Sequence, residues 1–330
     1  MKRRNFIRNS VLGGVALSFN PGNVFASNSF TPVPGKRVGM IGLDTSHSVA
    51  FTKSLNTCKD NTFKGFKLTS AYPYGSRNIK TSADRIEGYT KEVQNYGVEI
   101  KGSLKEVIDN NDCILLETND GNLHLQQAEE VMKAGKPLFI DKPLAGQIND
   151  VKALYRLSDK YKMPFFTSSS LRYINNLENI REGKVAGKVL GADAFAPCKE
   201  EASHTNFYWY GIHGIEILFT ALGAGCQRVQ CLHTEDTDIV TGVWDDGRIG
   251  VFRGLRNGAH DYGGTVFCEK KVLKLPSYSG YDSLLKKIVE FFDSGVLPVP
   301  QQETKGIYAF MTAAAHSMKK KGAWVPLEKF

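Results

Sequence analysis

The sequence is short of metal-ligand patterns. Its six cysteines (58, 113, 198, 226, 231 and 268) form no C-x-x-C pair, and its seven histidines show no H-x-x-x-H spacing. No zinc-type site is therefore expected and no metal is assigned. Cys113 lies in an apolar run and reads as a small core hydrophobe. The spacing of Cys226 and Cys231 leaves a disulfide open without deciding it. No apolar run approaches the roughly 18–20 residues that cross a bilayer, which excludes stable membrane insertion. There is no internal repeat and no low-complexity tract. Acidic residues are fewer than basic ones, 34 against 42, for a formal charge of +8. Beyond residue 26 the basic residues cluster only at Lys319-Lys320-Lys321, where a helical pattern ends and cations suit the helix dipole. A nucleic-acid partner is not expected. What remains is an ordinary globular composition, long enough for one or two cores.

The first 26 residues differ from the rest. Lys2-Arg3-Arg4-Asn5-Phe6-Ile7-Arg8 precedes a short apolar run, Val11 to Phe19, and then Val24-Phe25-Ala26 before Ser27. A basic start, a short apolar stretch and a small residue at the cleavage point read as a removable signal. The paired arginines resemble a twin-arginine export signal, so a periplasmic location is expected, with export in the folded state. This segment carries four of the basic residues and no acidic one, which leaves +4 on residues 27–330.

Two different patterns follow, and they predict an α/β Rossmann domain over 36–170 and an α+β domain over 171–330. In the first, apolar runs at Lys36–Gly42, Gly65–Tyr72, Asp112–Thr118, Pro137–Asp141 and Pro164–Ser168 alternate with helical stretches. The helices are expected at Ser82–Asn95 (with Ser82 as N-cap), Leu104–Asp109 behind Ser103, Asn122–Ala134 and Asn149–Tyr161. Such alternation implies right-handed βαβ units and a parallel sheet. Beyond about 170, one helix at Gly211–Leu222 precedes strand-like runs at Cys226–Thr234, Ile239–Trp244, Arg248–Leu255, Gly264–Cys268 and Lys271–Leu275. Turn signals such as Asp245-Asp246-Gly247 join them, as in a large, mostly antiparallel open sheet. Helices near 280–294 and 302–321 close the chain.

The first turn lacks glycine. A G-x-G-x-x-G fingerprint would fall on Gly42-Leu43-Asp44-Thr45-Ser46-His47, where only Gly42 is present. A carboxylate at the second position repels a pyrophosphate unless it points away. Asp44, Thr45 and Ser46 are nevertheless good helix caps, and a helix N-terminus still offers free N–H groups to phosphate. Plain capping and direct ligand contact both remain open for Asp44, Thr45, Ser46 and His47. After the second strand there is no acid to hold an adenosine ribose. Ser76 and Arg77 stand there instead, and are read either as acceptors of a 2′-phosphate, which tilts the choice towards NADP over NAD, or as an exposed loop.

The stretch Asn122-Leu123-His124 … Ala134-Gly135-Lys136-Pro137-Leu138-Phe139-Ile140-Asp141-Lys142-Pro143 is more specific. It resembles the Gfo/Idh/MocA oxidoreductase family, with its N-x-x-H helix, A-G-K and a strand ending in E-K-P; Asp141 replaces the usual Glu. Ser170-Leu171-Arg172-Tyr173, Gly211–Glu216 and Thr304–Val325 resemble further segments of that family. The resemblance implies NAD(P)-dependent oxidation or reduction of a sugar or cyclitol. It places Lys142 at the C-terminal end of a parallel strand, where an ammonium can hold the reacting oxygen. Pro143 restricts Lys142 and is a candidate for a cis bond. Asn119, Asn122 and His124 are expected beside the cofactor with Asp141, Lys142 and Pro143.

The family's D-x-x-x-H pair is incomplete, because Trp209 stands where Asp is expected and only His213 remains. His213 alone, titrating near neutrality, with Tyr210 as helper, is the expected acid–base group. Trp209, Tyr208 and Tyr210 are candidates for a stacking wall against a sugar face. Arg172, Tyr173, His204, His260 and Tyr262 are further substrate candidates. The partner expected is a carbohydrate-like small molecule, with a homo-oligomer through the C-terminal sheet. Two other outcomes share these residues: transient oxidation that cleaves a glycoside, and a non-catalytic binding protein on a degenerate dehydrogenase fold.

Overall fold

The computed structural model describes residues 35–174, 176–278 and 280–330, so the expected export signal at 1–26 lies outside the described residues. The first sheet is parallel. Its strands are β1 (Arg37–Ile41), β2 (Lys67–Tyr72), β3 (Glu99–Ile100), β4 (Cys113–Leu116), β5 (Leu138–Ile140) and β6 (Phe165–Phe166), in the order β3-β2-β1-β4-β5-β6. β4 is buried at every position, as in a sheet covered on both faces. The helices between them are α1 (Ser46–Thr57), α2 (Lys80–Ala83), α3 (Ile86–Gln94), α4 (Leu104–Asn110), α5 (His124–Lys133) and α6 (Ile148–Tyr161). Strand order reverses between β1 and β4, and that crevice is where doubly wound sheets take ligands.

Ser103 caps α4 as expected: its hydroxyl accepts from the Glu106 amide while Glu106 Oε1 accepts from that hydroxyl at 2.8 Å. The helix expected over Ser82–Asn95 is instead two pieces, and Ser82 is not its cap. Buried Ile79 precedes α2, Ser82 lies inside it, and the Ser82 hydroxyl accepts from Asn119 Nδ2 at 2.8 Å.

After α7 (Leu177–Arg181) come β7 (Val189–Pro197), α8 (Ile212–Leu222), β8 (Cys226–His233), β9 (Thr237–Trp244), β10 (Ile249–Leu255), β11 (Gly263–Cys268) and β12 (Val272–Leu275). Then follow α9 (Asp282–Ser294), α10 (Gln301–Lys319) and β13 (Val325–Pro326). The second sheet runs β12-β11-β7-β10-β9-β8-β13, antiparallel except where β7 meets β10. β7 lies inside the second sheet, yet its sequence carries little strand signal. Val-Leu-Gly-Ala-Asp-Ala-Phe-Ala-Pro is poor in β-branched residues, because its small side chains let α8 lie close to the sheet. A Cβ on Gly214 of that helix would sit 2.5 Å from Phe252 and 3.1 Å from the Cβ of Ala196. Cys226 and Cys231 lie five residues apart on one strand. At about 3.3 Å per residue that is far beyond disulfide reach, which answers the open pairing.

Two apolar clusters form the core. One joins the sheet face under α5 and α6 to the second domain. The other gathers Val38, Phe51, Phe66, Phe139 and Phe166 of the first domain around Leu284, Leu285, Ile288, Phe291 and Phe292 of α9. Helix α9 thus returns to cover the Rossmann sheet, and the segment leading into it reaches the crevice.

Candidate active site

The crevice is a cleft between the C-terminal ends of the first sheet and the helical side of the second domain. It is built from the first turn of β1. Gly42 has φ +91, and a Cβ there would stand 2.4 Å from the Thr118 amide nitrogen, so only glycine makes this close crossing with the end of β4. Thr45 follows as N-cap of α1 and makes no side-chain cap bond. The Ser48 amide donates back to Thr45 O at 3.1 Å, and the amides of the two positions before it, which have no partner one turn back, are left beside the cleft that Thr45, Ser46 and His47 line. Gly42→Ala is expected to cost at least about 2 kcal/mol of stability from backbone strain and collision. Urea unfolding of the variant measures the cost.

Asp44 points away from the cleft. It is fully buried, with Oδ2 accepting from the Ser76 amide at 2.6 Å and Oδ1 from the Asn119 amide at 3.0 Å. It is a strut tying the loops after β2 and β4 together, and its burial raises its pKa. Ser76 is buried beneath it, and exposed Arg77 lies over the Tyr74 ring at 5.3 Å. Neither of these two lines the cleft; the arginine that does is Arg85, together with Asn119.

Lys142 and Pro143 are joined by a cis peptide bond. The Lys142 ammonium stands 3.4 Å from Asp141 Oδ2 and faces the cleft. Burial opposes its charge, but Asp141, with smaller contributions from Tyr210, Tyr281 and Glu117, raises its pKa above the ordinary lysine value. On the other side of Asp141, His47 Nδ1 is 3.0 Å from Oδ1 and 3.7 Å from Glu117 Oε2. Burial works against the imidazolium, yet the two carboxylates push it up to about 10. Glu117, fully buried just after β4, is pushed up to about 7 by burial and by Asp141. Asp141 is held below the ordinary carboxylate range by His47 and Lys142 in spite of burial.

From the second domain come Trp209, Tyr210, His213 and Tyr262, and from the segment leading into α9 come Tyr278 and Tyr281. Tyr281 packs edge-on against His47 at 4.4 Å, and its hydroxyl lies 3.3 Å from Ser46 Oγ. His213 Nδ1 lies 2.7 Å from Ser169 Oγ. Burial first, and then Lys142, lower its pKa to about 3, so His213 is neutral throughout the physiological range and does not titrate near neutrality as expected. The unfolded imidazole binds a proton near pH 6.5 while the folded one does not. The destabilisation from this site is absent above about pH 6.5 and grows as pH drops from there to about 3. His213→Gln is expected to flatten that pH dependence in urea unfolding at stepped pH.

Several expected ligand residues serve the frame instead. His124 is buried, with Nε2 2.6 Å from Thr118 O and Nδ1 3.2 Å from Leu144 O. Exposed Asn122 bonds to Asp120 and Ser203. His204 Nε2 accepts from the Gly121 amide. Tyr208 is in the core, its hydroxyl 2.8 Å from Thr312 Oγ1, and so leaves the aromatic wall to Trp209 and Tyr210. Arg172 is fully buried: its Nε donates to Glu216 at 2.8 Å and its Nη1 to Glu303 at 2.7 Å. Half-buried Tyr173 packs against the α9 cluster, and His260 is exposed. Among the described residues that line the cleft, Arg85, Ser170, Leu171, Tyr278 and Tyr281 were not anticipated. Glu117, beside them, stood unremarked in the apolar run of β4.

A six-stranded doubly wound sheet with an open first-turn helix, followed by a seven-stranded sheet, defines a two-domain dinucleotide-type fold. Residues 36–168 match the GFO_IDH_MocA family model, described as an oxidoreductase family with an NAD-binding Rossmann fold. No curated protein matches the chain. Among solved structures, myo-inositol 2-dehydrogenase from Lactobacillus plantarum is similar with a TM-score of 0.70 at 16% identity, covering 90% of this chain and all of that one. Myo-inositol dehydrogenase from Lactobacillus casei, in complex with NAD(H) and myo-inositol, gives 0.69 at 13% identity, covering 89% of this chain and 97% of that one. Scyllo-inositol dehydrogenase from the same organism, with NAD(H) and scyllo-inositol, gives 0.63 at 15%, covering 90% and 99%. At these identities the likeness is one of fold.

Proposed function

We propose that the protein is an NAD(P)-dependent oxidoreductase that interconverts a hydroxyl and a carbonyl on a cyclitol or sugar. The observation that carries this reading is the protonated Lys142, held at the end of β5 by Asp141 and facing a cleft that His213 and an aromatic wall complete. The residues fit a dinucleotide: the start of α1 stands at the cleft, and Asp44 is turned away from the path of a phosphate. Gly42, Thr45, Ser46 and His47 would hold its phosphates, with Arg85 as the cation on that side. The bound nicotinamide supplies hydride exchange. Arg85, which lines the cleft, and Arg77, which does not, leave NAD and NADP as alternatives that competition binding separates.

Lys142 donates hydrogen bonds to the reacting oxygen and stabilises negative charge as it develops there. With His213 Nδ1–H donating to Ser169 Oγ, Nε2 is left to exchange a proton with that oxygen. Neutral across the physiological range, the imidazole takes the proton at Nε2 as the hydroxyl is oxidised and returns it on reduction. The polyhydroxylated ring face stacks on Trp209 and Tyr210.

Mass spectrometry of nucleotide released from the purified protein, followed by cofactor turnover with inositols and simple sugars, tests the reading. Failure to bind either dinucleotide overturns it; glycoside cleavage without net redox would select the transient-oxidation alternative.

The second sheet supports self-association. Val243, Ile249 and exposed Phe267 fall on one cross-strand row of the face away from α8 and α10. Such an apolar face suits a second copy, which light scattering checks. Export to the periplasm rests on the first 26 residues. Replacing Arg3 and Arg4 together by lysine would retain the chain in the cytoplasm if they are the export address.

A further inference from the structure

Buried carboxylates are normally hydrogen-bonded or paired, and an unsatisfied one calls for an ion or water. Glu117 is fully buried, and neither of its oxygens has a hydrogen-bond partner; the nearest cation, His47, is 3.7 Å away. Asp141 Oδ2 beside it also lacks one. His47 from the start of α1, Glu117 from the end of β4 and Asp141 from the end of β5 bring one nitrogen and two carboxylates together. Their ligand atoms all lie within 4.8 Å of one another.

We propose that these three side chains form a buried divalent-cation site behind the wall of the cleft that His47 lines. Two carboxylates supply the charge that a divalent ion neutralises, burial makes that neutralisation worth more than at a surface, and the His47 proton leaves to solvent as the ion binds Nδ1. One imidazole with two carboxylates and no sulfur suits Mn²⁺, Fe²⁺ or Zn²⁺. Lys142 is the built-in competitor. Its ammonium lies 3.4 Å from Asp141 Oδ2, so an incoming ion shares that carboxylate with it. An ion here sits beside Lys142, at the end of the cleft where the proposed chemistry occurs, and adds positive charge to that region. No metal spacing is visible in the sequence because the ligands come from three separate strand and helix ends. The site does not depend on the dehydrogenase reading, since ion binding is read on the protein alone.

The full chain, stripped with a chelator and free of nucleotide, is titrated with Co²⁺ for its visible absorption bands and with Mn²⁺ by electron paramagnetic resonance. Saturation at one ion per chain, abolished in Glu117→Gln and in His47→Gln while both keep the wild-type far-ultraviolet dichroism, is the expected result. Failure of the stripped wild type to bind either ion overturns the proposal, and so does binding that survives both substitutions. If a variant does not fold, the wild-type titration alone decides.

Discussion

Lys142→Ala is expected to lower kcat/KM by about 100- to 1,000-fold or more, the loss that follows removal of one oxyanion-stabilising donor. The argument rests on where the charge is kept. The ammonium is buried, and Asp141 holds it protonated, so it costs no rearrangement when negative charge develops on a substrate oxygen. Arginine does not rescue it. The flat, forked guanidinium cannot take the position of a compact ammonium between Asp141 and the reacting atom. The variant keeps its fold, because Lys142 lies at the cleft wall and His47 still neutralises Asp141 at 3.0 Å. Dinucleotide binding within a few-fold of wild type, a wild-type melting curve and lost turnover together make the expected pattern. Wild-type turnover in Lys142→Ala would remove the lysine from the mechanism.

Arg172→Met carries the largest expected effect on stability. Helix α8 is buried along ten of its 11 residues, which forces Glu216 indoors and obliges the chain to bring a cation to it. Arg172 answers Glu216 and also reaches Glu303 on α10, which is shared with Arg181. Removing the guanidinium strands the Glu216 carboxylate, at a cost of about 3–5 kcal/mol. For a chain of this size that corresponds to a fall in Tm of roughly 10 °C. Adding Glu216→Gln to the variant recovers part of the loss, since the stranded charge goes with it. Activity per folded molecule stays within a few-fold of wild type, which separates this frame role from the substrate contact expected of Arg172.

Much of the fold was legible because it is written locally. Alternating apolar runs and helical stretches, Ser103 before α4 and the glycine after α5 each follow from neighbours in sequence, and so does the cis Lys142–Pro143 bond. The site was legible where its residues sit at strand ends, as with Lys142, Asp141 and Thr45–His47. It was not legible where a role depends on what lies across the molecule. Asp44 resembles a phosphate-repelling intruder until the Ser76 and Asn119 amides are seen to claim it. His124, His204 and Arg172 look like ligand residues because polar side chains are usually exposed, yet here each satisfies a buried group. Glu117 is hidden at the end of an apolar run, and Tyr281 is hidden because nothing near 280 announces that α9 turns back.

That return has a consequence for the order in which the protein is made. The span matching the NAD-binding family ends at residue 168, but the apolar face over Phe139 and Phe166 stays bare until α9 exists. A ribosome must therefore complete more than 120 further residues before the first domain can close, and the nascent chain waits with Phe139 and Phe166 uncovered. The cofactor-binding half, first in sequence, is among the last parts to finish folding.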